Sequence, residues 1–129
     1  MTYRQTMDYL YSRLPMFHRV GTAAYKGDLK NTILLDKILG HPHKKFKSIH
    51  IAGTNGKGSV SHMFAALFQY SGYKTGLYTS PHLNDFRERI RVNGKMIPKK
   101  NVIDFVRKNK KHFDRINLSF FEWTVGLAF

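Results

Sequence analysis

Apolar residues recur at steps of three and four over residues 2 to 17, at Tyr3, Met7, Leu10, Tyr11, Leu14 and Phe17, the spacing that lines one face of a helix. Pro15 is expected to fray its end, and a polar loop with Gly21 and Gly27 follows. Leu29, Ile33, Leu34, Leu35, Ile38 and Leu39 predict a second helix, stopped by Gly40 at a C′ position with Pro42 just beyond. After the basic loop His43-Lys44-Lys45, the run Phe46 to Ala52 alternates and carries β-branched residues, so it predicts a strand. Glycines at 53, 56 and 58 interrupt it. Val60, Met63, Phe64, Ala66, Leu67 and Tyr70 then resume helical spacing up to Gly72, and Thr75 to Thr79 predicts a second short strand. Strand, glycine turn, helix and strand compose a β-α-β unit, whose two strands should be parallel with a right-handed crossover.

Further on, Arg89-Ile90-Arg91-Val92 and Lys95-Met96-Ile97 flank Asn93-Gly94, the strongest two-residue hairpin signal, and Pro98 punctuates. Residues 99 to 113 predict a basic amphipathic helix through Val102, Phe105, Val106 and Phe113. The run Ser119 to Phe129 opens as a capped helix, with Ser119 at the N-cap and Glu122 three residues later. It shows no terminal glycine, basic last turn or polar tail. The chain is therefore expected to be the amino-terminal piece of a longer protein, with an exposed apolar patch around Trp123, Leu127 and Phe129 that favours self-association.

A length of 129 residues suits one modest domain, and 42% hydrophobic residues suffice for a packed core. Zero cysteines excludes disulfides, thiolate metal sites and cysteine nucleophiles. No stretch approaches the roughly 20 apolar residues of a membrane helix, and no apolar signal core follows the start, so no membrane partner is expected and the cytoplasm is the default address. Lys and Arg number 22 against 8 acidic residues, a formal net charge of +14 that attracts anions at long range. Charge alone does not choose between nucleotides, anionic small substrates and polymers. The run Lys99, Lys100, Arg107, Lys108, Lys110, Lys111, His112 and Arg115 makes the best case for nucleic acid, but it lacks interleaved aromatics on its basic face and a solvated helix surface explains it. His41 and His43 sit in a lysine-rich loop and read as solvated rather than as a metal site.

The central chemical signal is Gly53-Thr54-Asn55-Gly56-Lys57-Gly58-Ser59 between predicted strand and helix. Successive backbone N–H groups of such a turn can point at one anion, and the helix adds its positive end. Glycine lets phosphate oxygens approach the main chain where a β-carbon would collide. Lys57 supplies a mobile ammonium able to follow a transferred phosphoryl group. Ser59 serves either as a phosphate partner or as a cap. The spacing departs from the standard eight-residue nucleotide loop: only Thr54 and Asn55 separate Gly53 from Gly56, and Gly58 rather than a hydroxyl residue follows Lys57.

This variant resembles the ATP loop of the Mur ligase superfamily, and within it folylpolyglutamate synthase and dihydrofolate synthase. The resemblance rests on Ile49 to Val60, on Thr79-Ser80-Pro81-His82-Leu83 and on Arg87-Glu88-Arg89-Ile90. Gly40-His41-Pro42-His43 upstream and Phe120-Phe121-Glu122 downstream extend it over roughly residues 17 to 129. It implies an α/β fold, a three-layer P-loop NTPase-like domain with a parallel central sheet, here incomplete, plus a β-hairpin. Residues 1–129 would be the amino-terminal part of the ATP-binding domain, and the glutamate-binding domain would lie beyond. It implies an ATP-dependent ligase that makes an acyl phosphate and adds L-glutamate to a folate or dihydropteroate carboxylate, with the 129 residues alone inactive. Gly53 to Ser59 would bind ATP, with Lys57 and Arg89 catalytic. Ser80 and Glu122 would hold Mg²⁺, while Pro81, His82 and Arg87 would belong to a substrate loop; the residues alone also allow an ordinary turn hydroxyl for Ser80, a capping role for Glu122 and a charged hairpin edge for the arginines. The alternatives are a basic nucleic-acid-binding module and another P-loop phosphotransferase such as a kinase, which would not require Thr79 to Leu83 beside the short loop.

Overall fold

The chain is described by a computed structural model over residues 1–14 and 28–129, so the predictions for Pro15, Phe17, Gly21 and Gly27 lie outside the described residues. Thr2 starts helix α1 (Tyr3–Tyr11) through a capping box with Gln5, and α1 buries Thr6, Met7 and Leu10. Helix α2 (Lys30–Ile38) ends where predicted, followed by Gly40 at φ 78° and a 3₁₀ turn over Pro42–Lys44. Helix α3 spans Lys57–Tyr70, strand β1 Gly76–Tyr78, a second 3₁₀ turn Phe86–Arg89, and strands β2 and β3 Ile90–Val92 and Lys95–Met96. Helices α4 (Lys99–Arg115) and α5 (Phe120–Ala128) complete the order. The elements group into two compact units: residues 1–47, 100–127 and 129 form the first, and residues 48–99 with Ala128 the second.

The first unit is organised on Trp123, which is 2% exposed. Its ring meets Phe113 at 4.6 Å between centroids, Tyr9 at 5.6 Å and Phe105 at 6.1 Å, all edge-on, the arrangement that opposes a positive ring edge to a negative face. Helix α4 contributes because Val102, Val106, Asn109 and Phe113 recur at steps of four, three and four and are buried, leaving its cations to the other face. Lys100 and Arg107 lie on Asp104 at 2.7 and 3.8 Å. Asp114 accepts from Tyr9 Oη, Arg13 Nη2 and Lys110 Nζ, so one carboxylate joins α1 to α4. Burial, followed by the hydrogen bond to Asp114, pushes the Tyr9 hydroxyl above its ordinary value, and it stays a neutral donor. The basic helix is thus an amphipathic packing element with partly paired cations.

Two expectations are corrected here. Trp123 is not part of an exposed patch; it is the centre of the packing, and Leu127 is half-buried, which leaves Phe121 and Phe129 at 56% and 44% exposure. Hydrophobicity alone does not say which of two neighbouring aromatics faces inward; the helix phase set by the Ser119–Glu122 cap does.

The second correction concerns the sheet. Its order is β1-β2-β3 and both pairings are antiparallel, with Gly76 opposite Val92, Tyr78 opposite Ile90, and Arg91 opposite Met96. Residues 46–52 carry no strand among the described residues, so the expected parallel β-α-β pair is not formed. A strand of a parallel sheet is held by bonds to neighbouring strands, and an alternating pattern supplies the face but not the neighbours. The hairpin, by contrast, is local and forms as predicted: Asn93 and Gly94 at φ 48° and 77° make the left-handed pair that matches strand twist. Asn93 also exchanges two 2.9 Å bonds with Thr75, and Gln69 of α3 donates to its carbonyl at 3.2 Å. No helix among the described residues is long and apolar enough to cross a membrane.

Replacing Trp123 by Ala should destabilise the chain by about 3–5 kcal/mol, as for other buried large-to-small changes. Phe121→Ala, on the exposed side of the same helix, should stay within about 0.5 kcal/mol. Urea unfolding followed by circular dichroism distinguishes them, and equal losses would contradict the packing.

Candidate functional site

Helix α3 begins without a side-chain cap. Its N-cap residue is Gly56 at φ 75°, a left-handed conformation that favours glycine, and no side chain bonds the first-turn N–H groups. Ser59 therefore does not cap. The first intrahelical bond runs from Val60 N–H to Gly56 O at 3.0 Å, so the amides of Lys57, Gly58 and Ser59 precede the ladder. Gly58 has no unusual φ, and a β-carbon placed there would meet nothing within 4 Å. Lys57 folds back: Nζ donates to Gly53 O at 2.6 Å and to Thr54 O at 3.2 Å, closing the turn over its own carbonyls. The segment presents three N–H donors and an ammonium from one short loop, with the positive end of a 14-residue helix behind them.

The same unit carries the segment from Ser80 to Arg89. Ser80 is exposed at the end of β1, and its bond to Pro81 is cis. Thr79 N–H donates to Arg89 O at 2.9 Å, which fixes the two ends of the segment side by side. Within it, Glu88 accepts three backbone N–H groups, from Leu83 at 2.9 Å, Asn84 at 3.0 Å and Asp85 at 2.7 Å. These bonds hold the Glu88 carboxyl below its ordinary 4.5, so this closure is complete above that value and is lost as pH falls through the depressed one. Asp85 caps the 3₁₀ turn and pairs with Arg87, Nη2 to Oδ2 at 2.8 Å. Arg87 is therefore committed to its own turn.

Arg89 is 9% exposed, and its Nε donates to His82 Nδ1 at 2.8 Å. An Arg has only donors, so Nδ1 must be unprotonated and the ring is the neutral Nε2–H tautomer. Desolvation, then the Arg89 charge, lowers the His82 value and maintains that state at neutral pH. Glu122 lies in the other unit. It is 8% exposed, accepts the Ser119 N–H at 2.8 Å through Oε2, and donates its own N–H to Ser119 Oγ at 3.3 Å, so the predicted capping box is present.

Relatives carry the same segment. A probable bifunctional folylpolyglutamate synthase/dihydropteroate synthase of Haloferax volcanii is 36% identical over 133 residues, covering 99% of this chain and 15% of the relative. The solved folylpolyglutamate synthase of Thermotoga maritima is 35% identical and superposes with a TM-score of 0.86 over 98% of this chain and 29% of that one. The chain belongs to the folylpolyglutamate synthase/dihydrofolate synthase family. A folylpolyglutamate synthase complex with AMPPCP and folate, 32% identical, matches over 99% of this chain and 31% of that one, with a TM-score of 0.86. No family profile matches the chain. This member of the folylpolyglutamate synthase/dihydrofolate synthase family spans 15% to 31% of the lengths of these relatives.

In this family member, sequence reasoning gives neither Asp85 nor Glu88 a role, although Asp85-Phe86-Arg87-Glu88 is a legible capping box. The pairing of His82 with Arg89, seven residues apart, has no such local signature. Ring ¹⁵N NMR should place the His82 midpoint below the ordinary value of about 6.5, and Arg89→Ala should raise it by removing the adjacent cation. A midpoint unmoved by that substitution would contradict the contact.

Proposed function

We propose that the chain supplies the nucleotide-phosphate cradle of an ATP-dependent ligase that joins L-glutamate to a folate or dihydropteroate carboxylate. The observation that carries this reading is the start of α3, where the amides of Lys57, Gly58 and Ser59 have no side-chain cap and the Lys57 ammonium lies on Gly53 O and Thr54 O of the same loop. The AMPPCP and folate of the similar solved complex support the substrate classes. Residues Gly53 to Ser59 bind the phosphates, and Lys57 exchanges its bonds to Gly53 O and Thr54 O for phosphate oxygens. Phosphoryl transfer from ATP to the substrate carboxylate gives an acyl phosphate, which the glutamate amine attacks with loss of phosphate to form the amide. Two anions must meet for the first step, so the residues act by neutralising charge and positioning.

Arg89, turned by neutral His82, holds an anionic group of substrate or phosphate; Pro81 and His82 belong to the same substrate loop, shaped by Glu88. Arg87 contributes through that loop, as the partner of Asp85. The Ser80 hydroxyl and the Glu122 carboxylate would each supply a hard oxygen donor of the kind Mg²⁺ takes. Bound Mg²⁺ neutralises triphosphate charge. The parallel-sheet form of the domain belongs to the same reading: β1 is an edge strand of its sheet, and the alternating run 46–52 is of a kind to pair with such an edge. Residues 1–129 are then part of the ATP-binding domain, and the setting is cytoplasmic.

The nucleic-acid reading loses its feature to packing, since α4 buries one face and pairs cations on the other. Binding of MgAMPPCP to the chain, measured by calorimetry, should weaken at least about tenfold, or 1.4 kcal/mol, in Lys57→Ala. Gly58→Ala should leave helix stability unchanged or raise it by up to about 1 kcal/mol, yet impair nucleotide binding through the added β-carbon. Unchanged affinity in both variants would remove the loop from the reading. In an enzyme containing this chain, ADP release should require both glutamate and a pterin carboxylate.

A further inference from the structure

Asp36 lies in the last turn of α2, and both of its carboxylate oxygens are occupied by imidazoles. His41 Nδ1 donates to Oδ2 and His43 Nδ1 to Oδ1, each at 2.6 Å. One nitrogen from each ring and a carboxylate oxygen lie within 4.8 Å of one another. The backbone imposes this convergence. Gly40 N–H bonds Lys37 O at 3.1 Å and His41 N–H bonds Asp36 O at 2.8 Å, the paired bonds of a Schellman ending. His41 itself is left-handed at φ 55°, and Pro42 opens the 3₁₀ turn that returns His43 to the same carboxylate. Three ligands are thus delivered by eight consecutive residues whose main chain is already fixed, so little ordering remains to oppose a bound ion.

We propose that Asp36, His41 and His43 form a surface site for one divalent transition-metal ion of Zn²⁺ type, held by both Nδ1 atoms and the carboxylate. Bonds of about 2.0–2.1 Å in a tetrahedral array place ligand atoms roughly 3.3 Å apart, so the contacts open by somewhat over half an ångström to admit the ion. Side-chain exposures of 48% and 47% for the histidines leave both free to make that adjustment. Each ring shifts its proton from Nδ1 to Nε2 through water, with no net change in protons when both rings are neutral. A water completes the coordination. Imidazole nitrogen selects Zn²⁺, Ni²⁺ or Cu²⁺ over Mg²⁺, which separates this site by chemistry from the oxygen ligands proposed for the nucleotide. Exposed Lys37, Lys44 and Lys45 surround the loop and oppose a cation, so the affinity is moderate rather than that of a closed structural site.

The test is Zn²⁺ titration of the untagged chain at neutral pH against a chromophoric chelator, with histidine-ring NMR as the second readout. A single equivalent should bind, shifting the Nδ1 resonances of His41 and His43. Asp36→Asn, His41→Asn and His43→Gln should each weaken it at least about tenfold, while His62→Ala should not. Asn is chosen at position 41 because it tolerates the left-handed backbone, and circular dichroism confirms that each variant stays folded. Absence of binding to the wild type, or binding that these three substitutions leave intact, overturns the proposal.

Discussion

A helix that starts without a side-chain cap has its first-turn amides pointing outward with nothing of its own side chains to accept them. That is the constraint at the start of α3, and it follows from one residue: Gly56 holds the left-handed region at the N-cap and has no side chain to cap with. Two helices of this chain solve the same problem internally, α1 with Thr2 and α5 with Ser119. Helix α3 does not, and it is the one that a glycine-rich loop precedes. Lys57 supplies an interim arrangement by bonding Gly53 O and Thr54 O, contacts made by a solvated ammonium and therefore readily exchanged for a stronger acceptor.

The segment Ser80 to Arg89 works in the opposite way, by satisfying itself. Glu88 collects three amides, Asp85 holds Arg87, and His82 receives Arg89, so each charge in the stretch has a named partner a few residues away. A short irregular loop has few apolar contacts to hold it, and charge-assisted bonds to backbone are the strong alternative. The consequence is an Arg89 guanidinium of fixed direction in a setting 9% exposed. A neutral histidine fixes it without cancelling its charge, which a carboxylate would have done.

How much of this was legible in the sequence depended on how local the determinants are. Helix ends were, because Gly40 and Gly72 act within one turn, and so was the Asn93-Gly94 hairpin, whose φ values are set by two residues. The Ser119–Glu122 box was equally local. The run 46–52 forms no strand here because its pattern describes a face and not a neighbour, and the burial of Trp123 is not legible because it depends on Phe113 in another helix and on Tyr9, far away in the chain. At the site, the glycine loop announced itself by composition. The His82–Arg89 contact and the convergence of His41 and His43 on Asp36 did not, since both arise from turns that bring together residues with no shared period.

The charge of +14 gains a sharper meaning once the acidic residues are located. Asp36, Asp85, Glu88, Asp104, Asp114 and Glu122 each bind a neighbouring side chain or amide, so the few negative charges act as local fasteners. Folding therefore consumes carboxylates while leaving a large surplus of lysines in solvent. Such a surface draws in any polyanion or nucleotide at long range and discriminates poorly between them. Discrimination has to come from short-range geometry, where donors are fixed before the anion arrives. The start of α3 meets that condition with backbone amides, which cannot swing away as lysine side chains on α4 can, and this difference in rigidity favours a compact phosphate group over a long nucleic-acid backbone.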